Sequence, residues 1–279
     1  MTQDERSILI TGCSTGIGLA GACALRARGW RVLATARRPE DLERLEREHG
    51  LEALSLELKD EGSIARCADE ALRRTDGKLH ALYNNAAYGV IGAMEDIPAS
   101  VLRDQLEVNV VAANELARRV IPAMRRAGRG RIVMCSSVLG FVSGPYRGAY
   151  SASKYALEAL SDSLRLELKP AGIHVSLLEP GPIDSHFMAT TLSRFTSHVD
   201  ADRSPHREAY ERRMSEMQSG KAKSGPFRLG PDAVVAKLIH ALESSRPRAR
   251  YRIGIMTKGA SIMKRFMPDA LLDRIVARM

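Results

Sequence analysis

The feature that most constrains this chain is a rhythm. Short apolar strand candidates recur at Ser7–Thr11, Arg31–Ala36, Leu54–Leu58, Leu79–Tyr83, Arg131–Cys135 and His174–Glu179, separated by longer amphipathic or alanine-rich stretches of helical period. Runs such as Ile8-Leu9-Ile10 and Ile132-Val133-Met134 are apolar on consecutive positions, which suits strands covered by helices on both faces. The pattern predicts an α/β chain built on a doubly wound parallel sheet. Beyond Pro180 the rhythm breaks, and Ser185 to Pro231 carries scattered Ser, Thr, Arg and Met with a weakly helical piece around Glu208–Met217. Alternation resumes with a helix near Ala233–Glu243 and a strand candidate around Tyr251–Ile255. At 279 residues the chain is read as one enlarged domain, 1–279, with 185–231 as a lid at the carboxyl edge of the sheet and 246–279 as a basic C-terminal extension.

Composition narrows the function classes. Hydrophobic residues at 44% and charged residues at 27% exclude a disordered or fibrous chain. No apolar run approaches the roughly 18 residues of a membrane span, and the start MTQDERSILI lacks a secretory core, so a cytoplasmic protein is expected. Cys13, Cys23, Cys67 and Cys135 show no C-x-x-C spacing and read as reduced structural thiols, with no metal expected. Of the net charge of +9, residues 246–279 carry +7, from nine Lys/Arg against Asp269 and Asp273. The remainder is close to neutral, which argues against nucleic acid as a partner. Within that segment Ile262, Met263, Phe266 and Met267, then Leu271, Leu272, Ile275 and Val276, recur at helical spacing beside Lys264, Arg265, Arg274 and Arg278. Such a stripe either packs on the protein itself or on a second subunit, or docks peripherally on an anionic membrane surface.

The first strand runs into Thr11-Gly12-Cys13-Ser14-Thr15-Gly16-Ile17-Gly18, followed by an alanine-rich helix. Glycines there permit a tight turn and close backbone approach, and leave free N–H groups at a helix N-terminus, where the dipole favours a pyrophosphate. The strand–turn–helix context points to a Rossmann-type dinucleotide site using Gly12, Ser14, Thr15, Gly16, Ile17 and Gly18. A site that selects NAD carries an acid about 20 residues further on. Here the second strand ends Thr35-Ala36-Arg37-Arg38, and two guanidinium groups suit the extra phosphate of NADP(H). The competing reading is a solvated charge pair ahead of the next helix.

Tyr150 and Lys154 stand at i and i+4 of a helical segment, so an ammonium on the same face is expected to lower the phenol's pKa. Together, Thr11–Gly18, Asn84-Asn85-Ala86, Ser137, Tyr150-x-x-x-Lys154 and Pro180-Gly181 resemble the short-chain dehydrogenase/reductase family over about residues 7–185, most of all its bacterial NADP-dependent aldehyde or ketone reductases, a group also similar to retinol and steroid dehydrogenases. The resemblance implies that Ser137 hydrogen-bonds a substrate carbonyl, Tyr150 exchanges the proton, Lys154 holds the nicotinamide ribose and tunes Tyr150, and Asn109 positions a water in the relay. Ser136 is the nearest competitor of Ser137. The resemblance also places Glu57, Leu58, Asn85, Ala86, Pro180, Gly181, Ile183 and Ser185 along the cofactor. Glu57 stands where the family more often has Asp, Ala87 where it usually has Gly, and Ser185 where Thr is common. Tyr88, Val90, Met94, Leu139, Phe141, Phe187 and Met188 are the candidate substrate walls. Their apolar character suits an aldehyde, ketone or alcohol on a hydrophobic body, in a homo-oligomeric enzyme. A catalytically silent module that only senses the dinucleotide is the alternative.

Overall fold

The structure is a computed structural model that describes residues 6–184, 187–218 and 227–277. Seven strands form one sheet among the described residues: β1 (Ser7–Ile10), β2 (Arg31–Ala36), β3 (Glu52–Ser55), β4 (Ala81–Asn84), β5 (Gly130–Cys135), β6 (Ile173–Pro180) and β7 (Arg250–Ile253). Their order is β3-β2-β1-β4-β5-β6-β7 and every pairing is parallel. The doubly wound sheet read from the sequence is the fold observed. The third strand begins two residues before the apolar run that marked it, because Leu56 and Leu58 lie past its end. Leu56 still donates to Ala36 O (3.0 Å) and stays buried.

Each helix adds one wall. On one face of the sheet lie α1 (Gly16–Ala27), α2 (Pro39–Arg47) and α9 (Asp232–Glu243); on the other lie α3 (Glu61–Arg74), α5 (Ala112–Arg126) and α6 (Gly148–Leu168). The period-2 geometry of a strand makes this work within β1: Ile8 and Ile10 join the first layer, whereas Leu9 joins the second. Those three side chains are all fully buried, which is why the strand reads as continuously apolar.

The lid region is more ordered than its composition suggests. Helices α7 (Phe187–His198) and α8 (Arg207–Gln218) fold back on the loop after β4. Tyr210 is the anchor: 1% exposed, its hydroxyl accepts from Ala93 N–H (2.8 Å) and donates to Asp96 Oδ2, while its ring meets Phe195 edge-on at 5.0 Å. At its base the segment is closed by a parallel bridge between Ile183 and Leu229. After β7, the C-terminal stretch forms α10 (Ile255–Phe266) and α11 (Asp269–Val276). Met263, Met267, Leu272 and Val276 pack with Val138, Phe141 and Val142 beneath the loop after β5, while Ile262 (61%), Phe266 (77%) and Leu271 (46%) face outward. The apolar stripe therefore serves two faces: one belongs to the core, the other is exposed.

Candidate active site

The chain folds so that β1 has β2 on one side and β4 on the other, and a crevice opens beyond the carboxyl ends of the strands where the order reverses. A cleft of about 1010 Å³ lies there, lined by the loops after β1, β2, β3, β4, β5 and β6 and by the first turns of α6.

Its dinucleotide end is assembled by backbone. Gly12 has φ +71°, and a Cβ there would stand 2.9 Å from Ala86 Cβ; a Cβ on Gly18 would meet Gly12 O at 2.1 Å. Glycine at both positions lets the loop close onto β4 and the first turn of α1 close onto the loop. Thr11 Oγ1 accepts from the N–H groups of Asn85 and Ala86 (2.9 Å each), and Asn85 Nδ2 donates to Thr11 O (3.0 Å) and Gly12 O (3.2 Å). Asn85 thus works as a clamp between β1 and β4. The first turn of α1 carries no side-chain cap, and Gly16 and Ile17 line the cleft, so unsatisfied N–H groups stand beside it. Gly12, Ser14, Thr15, Arg37, Arg38, Glu57, Leu58, Ala86, Pro180, Gly181 and Ile183 also line it, whereas Gly18 lies behind the loop and Ser185 is outside the described residues. This donor set, with its glycine cradle, fits a nicotinamide dinucleotide.

Asp41 adds an acid that the sequence reading passed over. It lines the adenosine end, buried to 3% exposure, where Arg38 Nε (2.9 Å) and Arg44 Nη2 (2.8 Å) neutralise it. Arg44 also donates to Ser14 O (2.6 Å) and so braces the glycine loop. Arg37 approaches Glu57 at 3.7 Å, and Glu57 Oε1 accepts from Lys59 N–H (3.1 Å).

At the other end Ser137, Tyr150 and Lys154 converge. Ser137 stands two residues past the end of β5 and caps a short 3-10 turn, its Oγ accepting from Leu139 N–H (3.1 Å). Ser136 also lines the cleft, but its hydroxyl acts on the carboxylate of Glu158, whereas that of Ser137 acts on Tyr150. Lys154, 2% exposed, donates to Cys135 O (2.7 Å) and sits 5.6 Å from the Tyr150 ring centre. The expected lowering of the phenol's pKa is not what the structure gives. Burial pushes Tyr150 above the usual tyrosine range, with the Ser137 hydrogen bond and the charge of Arg147 pulling the other way. Burial likewise holds Lys154 below its usual range. The reason is that desolvation outweighs the ammonium, whose proton is directed at a backbone carbonyl.

Asn109 occupies a π-helical stretch, Glu107–Val111, between α4 (Ala99–Leu106) and α5. Single π turns are often found at functional sites. Asn109 does not line the cleft; its Nδ2 donates to Tyr88 O (2.9 Å) and Ser153 Oγ (3.0 Å), its Oδ1 accepts from Tyr88 N–H (3.2 Å), and Ser153 donates to Tyr150 O (2.7 Å). The side chain ties one cleft wall to the helix that carries Tyr150.

Of the expected substrate walls, Tyr88, Leu139 and Phe187 line the cleft, and the Phe187 and Tyr150 rings lie 5.4 Å apart. Val90 does not: it is buried among Tyr88, Ile97 and Phe195, with its N–H donating to Gln105 (2.9 Å). Met94 is displaced to the packing surface over Gly148, where a Cβ would meet its Sδ at 2.5 Å. Phe141 points down into the C-terminal cluster. The Met188 side chain is outside the described residues. Loop position alone does not say which side chain turns inward, hence these corrections. Arg147, immediately before α6, is a charged wall that the apolar reading omitted.

The comparisons agree with this architecture. The family profile described as short chain dehydrogenase matches residues 6–194, and the chain belongs to that family of oxidoreductases, whose members bind a nicotinamide cofactor. It is 41% identical over 277 residues to the uncharacterized oxidoreductase YbbO of Escherichia coli, covering 98% of this chain and 94% of that protein. It is 30% identical to the NADPH-dependent 3-dehydrocapnine reductase of Ornithobacterium rhinotracheale, over 97% of this chain and 95% of the relative. Among solved structures, a short-chain dehydrogenase from Streptomyces avermitilis superposes with a TM-score of 0.78 at 30% identity, covering 98% of this chain and 96% of that one.

Proposed function

We propose that the protein is an NADP(H)-dependent reductase of aldehydes or ketones carried on a hydrophobic body, also able to run the reverse alcohol oxidation. The observation that carries this reading is the convergence of the Ser137 and Tyr150 hydroxyls, backed by buried Lys154, at one end of a cleft whose other end carries the glycine loop and Arg37 and Arg38. NADPH, when bound, supplies the hydride. Negative charge then develops on the substrate oxygen, and the neighbouring hydroxyls of Ser137 and Tyr150 are the donors that would stabilise it. Tyr150 is the proton donor; its raised pKa keeps the phenol protonated, the form a reduction needs. Ser137 orients the carbonyl, Lys154 is placed to hold the cofactor's ribose, and Asn109 holds the Tyr88 wall against the Tyr150 helix. Arg37 and Arg38 favour the 2′-phosphate, as bidentate guanidinium donors do.

NADPH consumption across a panel of apolar aldehydes, ketones, retinoids and steroids tests the reading. Turnover with at least one class is expected; tight NADPH binding with no turnover across the panel would replace the enzyme by a dinucleotide-sensing module. Homo-oligomerisation is proposed as well, through the helices that expose Val111, Tyr155 and Leu166, and light scattering reads it.

The C-terminal surface supports a peripheral contact with anionic lipid at the membrane of the cytoplasm. Ile262 and Phe266 stand one helical turn apart on α10, exposed beside Lys258 and Arg265, so apolar insertion and charge attraction act on the same face. No helix among the described residues is long and apolar enough to cross a membrane.

A further inference from the structure

The substrate end of the cleft is not purely apolar. Arg147 enters it between the Tyr88, Leu139 and Phe187 walls, three residues ahead of Tyr150, so the two side chains leave neighbouring turns of one helix start. Among the described residues its guanidinium has no carboxylate partner. The carboxylates on the adjoining loop are engaged elsewhere: Glu95 with His206 at 2.7 Å, and Asp96 with Ser204 at 2.6 Å and with Tyr210. A second guanidinium, that of Arg213 on α8, approaches from the lid. It stacks over the Tyr146 ring at 4.8 Å, its Nε is buried with no hydrogen-bond partner, and its charge acts on Arg147. Burial and this like charge together hold Arg147 below the usual arginine range.

A guanidinium in the wall of a partly desolvated cleft, with the charge of Arg213 acting on it from the lid and no carboxylate partner among the described residues, is a costly arrangement unless a ligand completes it. Arg250, by contrast, is neutralised: it meets Glu158 at 3.1 Å, Asp162 at 2.6 Å and Glu179 at 3.2 Å. We infer that Arg147 is a subsite for an anionic group on the substrate, and that the preferred substrates are keto acids with an apolar tail whose carboxylate lies a few bonds from the carbonyl. The span follows from Arg147 standing only three residues ahead of Tyr150, with both lining the same cleft. In the reaction such a keto acid takes a hydride from NADPH and a proton from Tyr150 to become the hydroxy acid, with NADP+ as the oxidised product. The inference deepens the reductase reading above and rests on it.

The test uses β- and γ-keto fatty acids, each against its own methyl ester, which keeps the chain and removes the charge. In the unmodified enzyme kcat/KM for the acid should exceed that for the ester by about tenfold or more, mostly through KM, the range of a charge-assisted hydrogen bond. In Arg147→Gln the acid-to-ester ratio should collapse toward one, and in Arg147→Lys part of it should survive. Reading the ratio removes any common effect of Arg147 on Tyr150. A ratio near one in the unmodified enzyme, or a preference that survives in Arg147→Gln, overturns the inference while leaving the reductase intact. If neither acid nor ester turns over, the reductase reading for these carbonyls fails on its own. Calorimetry of decanoate binding to the NADP+-loaded protein then decides the subsite, through at least tenfold weaker binding in Arg147→Gln or Arg147→Lys if it exists, and equal binding if it does not.

Discussion

The ammonium of Lys154 is held by Cys135 O on β5, so its position depends on the sheet and not on the phenol one turn earlier. That detail separates what the sequence made legible from what it did not. Tyr150 and Lys154 are readable as a same-face pair because helix geometry fixes it. The direction of the phenol's pKa is not, since it turns on burial, a property of the whole cleft. Arg147 escaped for a related reason: a lone arginine before a helix looks like a solvated charge until the walls around it are known. The adenosine end makes a prediction at this scale. Because Arg37 and Arg38 line the cleft where the proposed reading puts the 2′-phosphate, and Asp41 is already neutralised by Arg38 and Arg44, NADPH should be preferred to NADH by kcat/KM. Ala36→Asp combined with Arg37→Ile should reverse that order. Equal kcat/KM for both cofactors in the unmodified enzyme would contradict the assignment.

Between elements, the lid and the β6–β7 seam carry the next two expectations. Tyr210 joins α8 to the loop after β4 by two hydrogen bonds and an aromatic contact, and truncating so large a buried ring usually costs about 3–5 kcal/mol. Tyr210→Ala should lower stability in urea unfolding by that order and raise KM for the carbonyl substrate; an unchanged midpoint would show that the lid does not depend on this anchor. The lid's helices were only weakly legible because their stability comes from this cluster and not from a regular apolar stripe. Along the seam, Glu179, 1% exposed, sits beside Arg250, Arg252 and Glu158, and burial with the neighbouring carboxylate pushes its pKa up to about 7. A carboxyl raised on folding favours the folded state below the unfolded value near 4.5, and that contribution is lost as pH rises through about 7. The loss is of the order of 3 kcal/mol. Glu179→Gln should therefore stabilise the protein relative to the unmodified chain more at pH ~8 than at pH ~5.5. An identical difference at both values would contradict the raised pKa. The strands themselves were legible because burial on both faces leaves an unbroken apolar run, whereas the start of β3 was misplaced where such a run continued past the ladder.

For the whole molecule, the parallel sheet brings loops from six strand ends to one edge, so a cofactor cradle and a proton donor drawn from opposite ends of the first 185 residues share one cleft. The C-terminal helices brace the underside of that edge through Met263, Met267, Leu272 and Val276, and their outer face carries the proposed lipid contact. Co-sedimentation with anionic vesicles should occur at low salt, weaken as screening shortens to about 10 Å near 0.1 M, and drop in Ile262→Ser with Phe266→Ser. Binding unaffected by both changes would dismiss this surface. The central claim is that the cleft carries out hydride transfer to a carbonyl with Tyr150 as the acid, and one comparison tests it most directly. NADPH oxidation with an apolar aldehyde is measured for the unmodified protein and for Tyr150→Phe, alongside the NADPH dissociation constant of each. Turnover should fall by about 10²–10⁴-fold or more in Tyr150→Phe while NADPH binding stays within a few fold, because only a proton donor is lost. Retention of more than about a tenth of the activity would contradict the account.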